Sequence, residues 1–156
     1  MNYATLGSNI AGGNVSEHIT RAEYECHGTH TLPPDLYTFH DLYQELFDVF
    51  EHVRRVWQIT PYPGGGIEVA SGYRTEKHNA AVGGAPLSAH LYGLALDLRL
   101  KDKLQADMIQ GIIERDRADV RMGRYIKDPG LVHIDLAYLI RPRATQAWTR
   151  GVRWLV

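Results

Sequence analysis

The chain has 156 residues and a mass of 17.6 kDa, enough for one sizeable core. Its 44% hydrophobic and 22% charged residues exclude wholesale disorder. The 17 Lys and Arg against 18 Asp and Glu leave a net charge of -1, which excludes a general electrostatic attraction to nucleic acid or an anionic membrane.

Residues 1–14 carry no basic start followed by an apolar run, so no secretory signal is expected. Small and polar residues dominate there and predict a loose arm ahead of a single domain over 15–156. No stretch approaches the roughly 20 apolar residues of a membrane span. One cysteine, Cys26, leaves no internal disulfide.

The first strongly periodic segment covers residues 36–57. Leu36, Phe39, Leu42, Tyr43, Leu46, Val49, Phe50, Val53, Val56 and Trp57 recur at three and four, the spacing of one wide helical stripe. Pro33 and Pro34 precede it, Asp35 is the expected cap, and Glu51 with Arg54 or Arg55 is the expected outer-face pair. Pro61, Pro63 and the run Gly64, Gly65, Gly66 predict a turn. A short strand follows, with Ile67, Val69 and Ser71 expected on one face. Residues 75–82 predict a short helix stopped by Gly83 and Gly84.

Residues 93–100 alternate with period two. Leu94, Leu96, Leu98 and Leu100 face one side; Ala95, Asp97 and Arg99 face the other. Asp102 is positioned to cap a helix over 103–117, with Leu104, Met108, Ile109, Ile112 and Ile113 as its stripe. A last strand is expected over 131–139, with Val132, Ile134, Leu136 and Tyr138 on one face. The order helix, strand, strand, helix, strand reads as an α+β domain, a small sheet covered by two helices.

Both alternating strands put ionisable groups opposite their aliphatic rows. Asp97 lies there on one; His133 and Asp135 lie there on the other. His90 stands seven residues before Asp97. If the strands are neighbours, three or four metal-competent side chains converge on one sheet face. Two imidazoles and a carboxylate suit zinc and leave a position for water, a combination that hydrolyses amides without a covalent intermediate.

These residues carry a family resemblance. Ser88-Ala89-His90-Leu91-Tyr92-Gly93-Leu94-Ala95-Leu96-Asp97 closely resembles the S-x-H-x-x-G-x-A-x-D motif of the zinc D-Ala-D-Ala peptidases, the peptidase M15 group. Upstream, Ser71-Gly72-Tyr73-Arg74, with Asn79 and Val82-Gly83-Gly84-Ala85, resembles that group's S-G-Y-R block. Downstream, Gly123-Arg124-Tyr125 and Val132-His133-Ile134-Asp135 resemble its closing block. The segment from Ile19 to Cys26 is similar to the start of the cell-wall endopeptidase branch. Four ordered blocks are far more specific than one HxxxxxxD.

The resemblance implies a single domain with a central, mostly antiparallel sheet of the hedgehog/D-Ala-D-Ala-peptidase kind. It implies His90, Asp97 and His133 as zinc ligands, Arg74 as the group that polarises the substrate carbonyl, Ser88 as a substrate or outer-shell contact, and Tyr125 as a pocket wall. It implies action on peptidoglycan stem peptides, as a carboxypeptidase or as an endopeptidase. The expected partner is therefore stem peptide, with no nucleic acid and no membrane, met by a monomer. A wall enzyme without export information suggests an endolysin, made in the cytosol and released by a phage, or a virion-borne lysin.

One departure stands out. Several members carry the general-base carboxylate three residues before the last histidine, and here that position is Gly130. Asp128 and Asp135 are the nearest acids. Asp135 shares the His133 face and is favoured as base or as outer-shell partner; a rival assignment makes Asp135 the third ligand and His133 the base. Arg74 also has a purely structural reading, an ion pair with Glu76 or Asp97. Gly130 motivates a competing function, a peptidoglycan- or peptide-binding module that keeps the zinc site without turnover. A metal-free structural protein of a virion is a third reading, and the ordered ligand blocks argue against it.

Elsewhere the bland readings are preferred. Cys26, His27 and His30 lack a second pair of soft ligands, so Cys26 is expected as a small buried residue. His18, His40, His52 and His78 are expected to be solvated. Trp148 and Trp154 either close the core or rim the cleft.

Overall fold

The computed structural model describes residues 13–60, 66–140 and 149–156. Residues 1–12, Trp148 and most of the turn expected at 61–66 lie outside the described residues. In chain order the elements are α1 (Arg21–Tyr24), α2 (His40–Gln58), β1 (Glu68–Ser71), α3 (Glu76–Ala81), a 3-10 turn (Ala89–Tyr92), β2 (Ala95–Arg99), α4 (Lys103–Asp116), β3 (Arg121–Arg124), β4 (Leu131–Asp135), a second 3-10 turn (Ala137–Ile140) and β5 (Arg153–Leu155). The strands form one sheet in the order β1-β2-β4-β3-β5, with β3–β5 the only parallel pair among the described strands. The architecture is the expected α+β domain with a mostly antiparallel sheet.

Period-two patterning decides which face of the sheet is dry. Leu94, Leu96, Leu98 and Leu100 are buried with Val132, Ile134 and Met122 in one core. Both long helices cover that face. α2 contributes Leu46, Phe47, Phe50, Val53 and Trp57, and α4 contributes Ala106, Ile109, Ile112 and Ile113. Burial of this apolar surface is the main force holding helix to sheet. The opposite face carries Asp97, His133, Asp135 and Arg121.

The helix starts separate two kinds of aspartate. Asp102 caps α4 as expected, its Oδ1 accepting from Gln105 N at 2.9 Å. Asp35 does not cap α2. Its backbone carbonyl accepts from both Thr38 N and Phe39 N, which makes a turn, and its carboxylate accepts from Tyr43 Oη. α2 therefore begins at His40, not 36, with Phe39 54% exposed beside it. Leu104 is likewise 67% exposed; Ala106 takes its expected place in the core. Glu51 pairs with neither Arg54 nor Arg55. It accepts from Ser16 Oγ at 2.5 Å and His18 N at 2.8 Å, and faces His18 Nδ1 at 2.7 Å. His18 is thus partnered rather than simply solvated, as is His52, 2.8 Å from Asp116.

Two strand expectations are also corrected. A β-bulge between Val69 and Ser71 puts Ser71 opposite Asp97, on the polar face and not on the face of Ile67 and Val69. The strand expected over 131–139 ends at Asp135, because Asp135 Oδ1 accepts from Ala137 N at 2.9 Å and bends the chain into the second 3-10 turn. No helix among the described residues is long and apolar enough to cross a membrane.

Candidate metal centre

His90 sits on the first 3-10 turn, which is fastened at both ends. Ser88 Oγ accepts from His90 N at 3.3 Å, and Gly93 ends the turn with φ +69°. A side chain at Gly93 is doubly unfavourable: a Cβ would stand 2.7 Å from both Pro33 and Tyr24 Oη. Tyr24 Oη donates to Gly93 O at 2.7 Å, and Arg74 N donates to His90 O at 3.0 Å. The imidazole itself is oriented by Nδ1, which donates to Gly72 O at 2.5 Å. That bond turns Nε2 towards the sheet.

Asp97 and His133 are cross-strand neighbours on β2 and β4. Their side chains meet His90 in a tight triangle. His133 Nδ1 lies 3.0 Å from Asp97 Oδ1 and 3.2 Å from His90 Nε2, and His90 Nε2 lies 3.2 Å from Asp97 Oδ1. Tetrahedral ligation at 2.0–2.1 Å requires donors about 3.3 Å apart, so these three atoms match the edges of a zinc coordination sphere. The three residues form a buried His–Asp–His group suited to a metal ion. Glu17, His18 and Glu51 form a second cluster, but it is largely exposed, and Glu51 is already engaged by Ser16 and His18.

The surrounding groups hold this triangle in place. Arg74 Nη2 donates to Asp97 Oδ2 at 2.5 Å and its Nε donates to Ser71 Oγ at 2.9 Å, so the bulge in β1 serves the site. His133 Nε2 faces Asp135 Oδ2 at 2.9 Å. Histidines that bind metal commonly present their second nitrogen to a carbonyl or carboxylate in this way. Burial pushes the His90 pKa down, against the pull of Asp97. Burial also disfavours charge on His133, but Asp135 and Asp97 outweigh it and lift His133 to about 9. For Asp97, burial pushes upward; His90 and His133 overcome this and hold its carboxyl well below the usual range.

A pocket of about 640 Å³ opens over the triangle, with Arg74, Ser88 and Tyr125 in its walls. Burial, and then the charge of Asp97, push Tyr125 up to about 12, so its hydroxyl stays a proton-bearing donor at neutral pH. Asp135 is 1% exposed, and its Oδ1 accepts from Ala137 N and from Arg121 Nη1. Asp128 is held by Arg99 Nη1, at 2.7 and 2.6 Å from its two oxygens. Cys26, His27 and His30 do not converge. Cys26 Sγ accepts from Thr75 N, His27 contacts Ala22 O, and His30 pairs with Glu25.

The structure also explains Gly130. Leu100 N donates to Gly130 O at 2.8 Å, and a Cβ on Gly130 would stand 2.6 Å from Leu100 O. A carboxylate cannot be carried there without moving backbone. Gly130→Glu is therefore expected to lower stability by about 1–3 kcal/mol with no gain in activity, checked by urea unfolding and peptide turnover. A stable, more active variant would contradict this.

Sequence reasoning missed Arg121 and the carbonyl of Gly72. Arg121 stands two residues before Gly123, so it shares a strand face with it, but the segment Arg121–Arg124 has too little β-propensity to be read as a strand.

A single α+β domain with a buried His–Asp–His triangle under an open pocket has the parts of a metal-dependent hydrolytic enzyme. A family model described as Peptidase M15 matches residues 14–135, more than half of the chain, and the chain belongs to that family of metallopeptidases. No curated protein matches it.

Proposed function

We propose that the protein is a zinc peptidase that hydrolyses an amide bond in peptidoglycan stem peptides or their cross-bridges, a lytic role on the bacterial cell wall. The observation that carries this reading is the triangle of His90 Nε2, Asp97 Oδ1 and His133 Nδ1 at zinc-like spacing beneath an open pocket. Zinc held there supplies Lewis-acid polarisation of the scissile carbonyl and activation of water.

The chain's own groups then divide the work. Arg74 steadies Asp97 through Nη2, and its guanidinium on the pocket wall can donate to the carbonyl oxygen as negative charge develops. Tyr125 offers a neutral hydroxyl to the bound peptide. Ser88 acts on the position of His90 through the cap of its turn. Asp135 orients His133: it faces the nitrogen turned away from Asp97 and His90, and both its oxygens are engaged. That geometry supports Asp97 over Asp135 as the third donor. The partner is a peptide, met by a monomer, and a net charge of -1 offers nothing to nucleic acid.

A second reading is a peptide-binding module that keeps the metal. Its basis is that Asp135 is enclosed, Asp128 is paired with Arg99, and position 130 excludes a side chain, so neither of the acids nearest His133 in sequence is free to act as a base. Mass spectrometry of peptidoglycan digested with and without a chelator separates the two. New peptide ends that vanish on chelation and return with zinc are expected, and they name the bond. Unchanged muropeptides from several wall types, with zinc bound, would favour the binding module.

A further inference from the structure

The site continues across the sheet beyond its three donors. In register, Asp97 faces His133, His133 faces Gly123, and Gly123 faces Trp154 on β5. In the next row Arg121 faces Asp135. Gly123 leaves the space that the indole fills, since a Cβ there would stand 2.6 Å from the Trp154 ring. The indole centroid lies 5.4 Å from that of His133, and the Arg121 guanidinium carbon lies 5.2 Å from the same indole. Arg121 is 7% exposed and donates Nη1 to Asp135 Oδ1 at 3.3 Å. β5 is tied down by Met122 N to Val152 O at 3.0 Å and Val156 N to Arg124 O at 2.8 Å.

We infer that Arg121 and Trp154 are positioning residues for the metal centre: with the guanidinium over the indole, Arg121 holds the Asp135 carboxylate and Trp154 packs, tilted by 55°, against the His133 ring. Trp154 lies outside the segment matched by the family model, whereas Arg121, Gly123 and Asp135 lie within it. His133 has two soft degrees of freedom, rotation about its Cα–Cβ bond and a flip of its ring. Asp135 on Nε2 opposes the flip, and the indole tilted against the ring opposes the rotation. Arg121 couples the two because it touches both. Removing the indole frees the ring and takes away the plate on which Arg121 rests, so Asp135 loses a fixed partner as well.

The inference rests on the reading that His90, Asp97 and His133 hold a metal, and the test separates the two. Zinc affinity is measured on the full chain by competition with a chromophoric chelator, and the visible spectrum of the Co2+-loaded protein reports ligand geometry. Trp154→Ala is expected to weaken zinc binding about 10–100-fold, the range for lost outer-shell partners, and to change the cobalt bands. Trp154→Phe keeps a ring on His133 and is expected to stay within about threefold of wild type. Gly123→Ala displaces the indole without deleting any group of the clamp, so it is expected to weaken zinc binding too. In the double variant Gly123→Ala with Trp154→Ala, the glycine change is expected to add no further loss.

Wild-type zinc affinity and cobalt bands in a folded Trp154→Ala protein would overturn the inference. If that variant does not fold, an indifferent Gly123→Ala overturns it instead. A wild-type chain that binds neither ion would overturn the metal reading beneath it.

Discussion

Asp97→Ala is expected to lose both the metal and the peptidase activity, with a fall in kcat/KM on the order of a thousandfold, equivalent to about 4 kcal/mol of transition-state stabilisation. Two losses combine. Oδ1 is one corner of the donor triangle, 3.0 Å from His133 Nδ1 and 3.2 Å from His90 Nε2. Oδ2 is the acceptor for Arg74 Nη2 at 2.5 Å, so truncation also releases the guanidinium that flanks the pocket. Asp97 is suited to its place because His90 and His133, against the opposing effect of burial, hold its carboxyl well below the usual range. It is therefore ionised at neutral pH. Asp97→Asn separates the contributions: its amide oxygen still accepts from Arg74, but the charge is gone. Metal content by elemental analysis, read beside peptide turnover, checks both variants. Full metal content and activity in Asp97→Ala would dismiss the ligand assignment.

Zinc affinity is expected to rise about tenfold per pH unit between roughly pH 6.5 and 9, and to level off above that. In the ion-free protein the proton that matters sits on His133. His133 lies between Asp135 and Asp97, which outweigh the opposing effect of burial and lift it to about 9, so it holds a proton at neutral pH. Burial acts in the other direction on His90, which stays neutral. A cation entering the triangle must displace the His133 proton, one for each ion bound. The same proton has a folding consequence. The folded-state value of about 9 is above the ordinary 6.5, so His133 contributes stability that is fully present below about pH 6.5 and lost as the pH rises through 9. The contribution is on the order of 3 kcal/mol. Chelator-competition titrations from pH 6 to 10, and thermal unfolding of ion-free protein over the same range, check the two halves. A flat affinity profile would show that His133 gives up no proton to the ion.

The strands and helices that carry the site were largely legible in the chain, because the relevant information is local. Leu94, Leu96, Leu98 and Leu100 alternate with Ala95, Asp97 and Arg99, and the pleat converts that alternation into a dry face and a polar face. His133 and Asp135, two apart, share a face for the same reason. The stripe from Tyr43 to Trp57 specifies the covering helix, and Asp102 its partner's start. Boundaries were less legible. Asp35 and Asp102 look alike in sequence, but one carbonyl was drawn into a turn and the other side chain into a cap. Asp135 ended its own strand with a side-chain bond that periodicity does not register.

By itself, then, the sequence determined which residue types face the core, which face the pocket, and the ordered blocks that mark the family. The tertiary structure decided what those residues do to one another. The strand order β1-β2-β4-β3-β5 set Asp97 opposite His133, a pairing across 36 positions of chain. It set Arg121 against Asp135 and Trp154 against Gly123, although β3 and β5 gave little sign in composition of being strands. It also brought Gly130 against Leu100 O, which turned a missing acid into a steric requirement. The physical reason is the same in each case. Periodicity is a property of neighbouring residues, whereas a metal-binding triangle, a close backbone approach and a stacked cation depend on distances between segments that only the paired sheet defines.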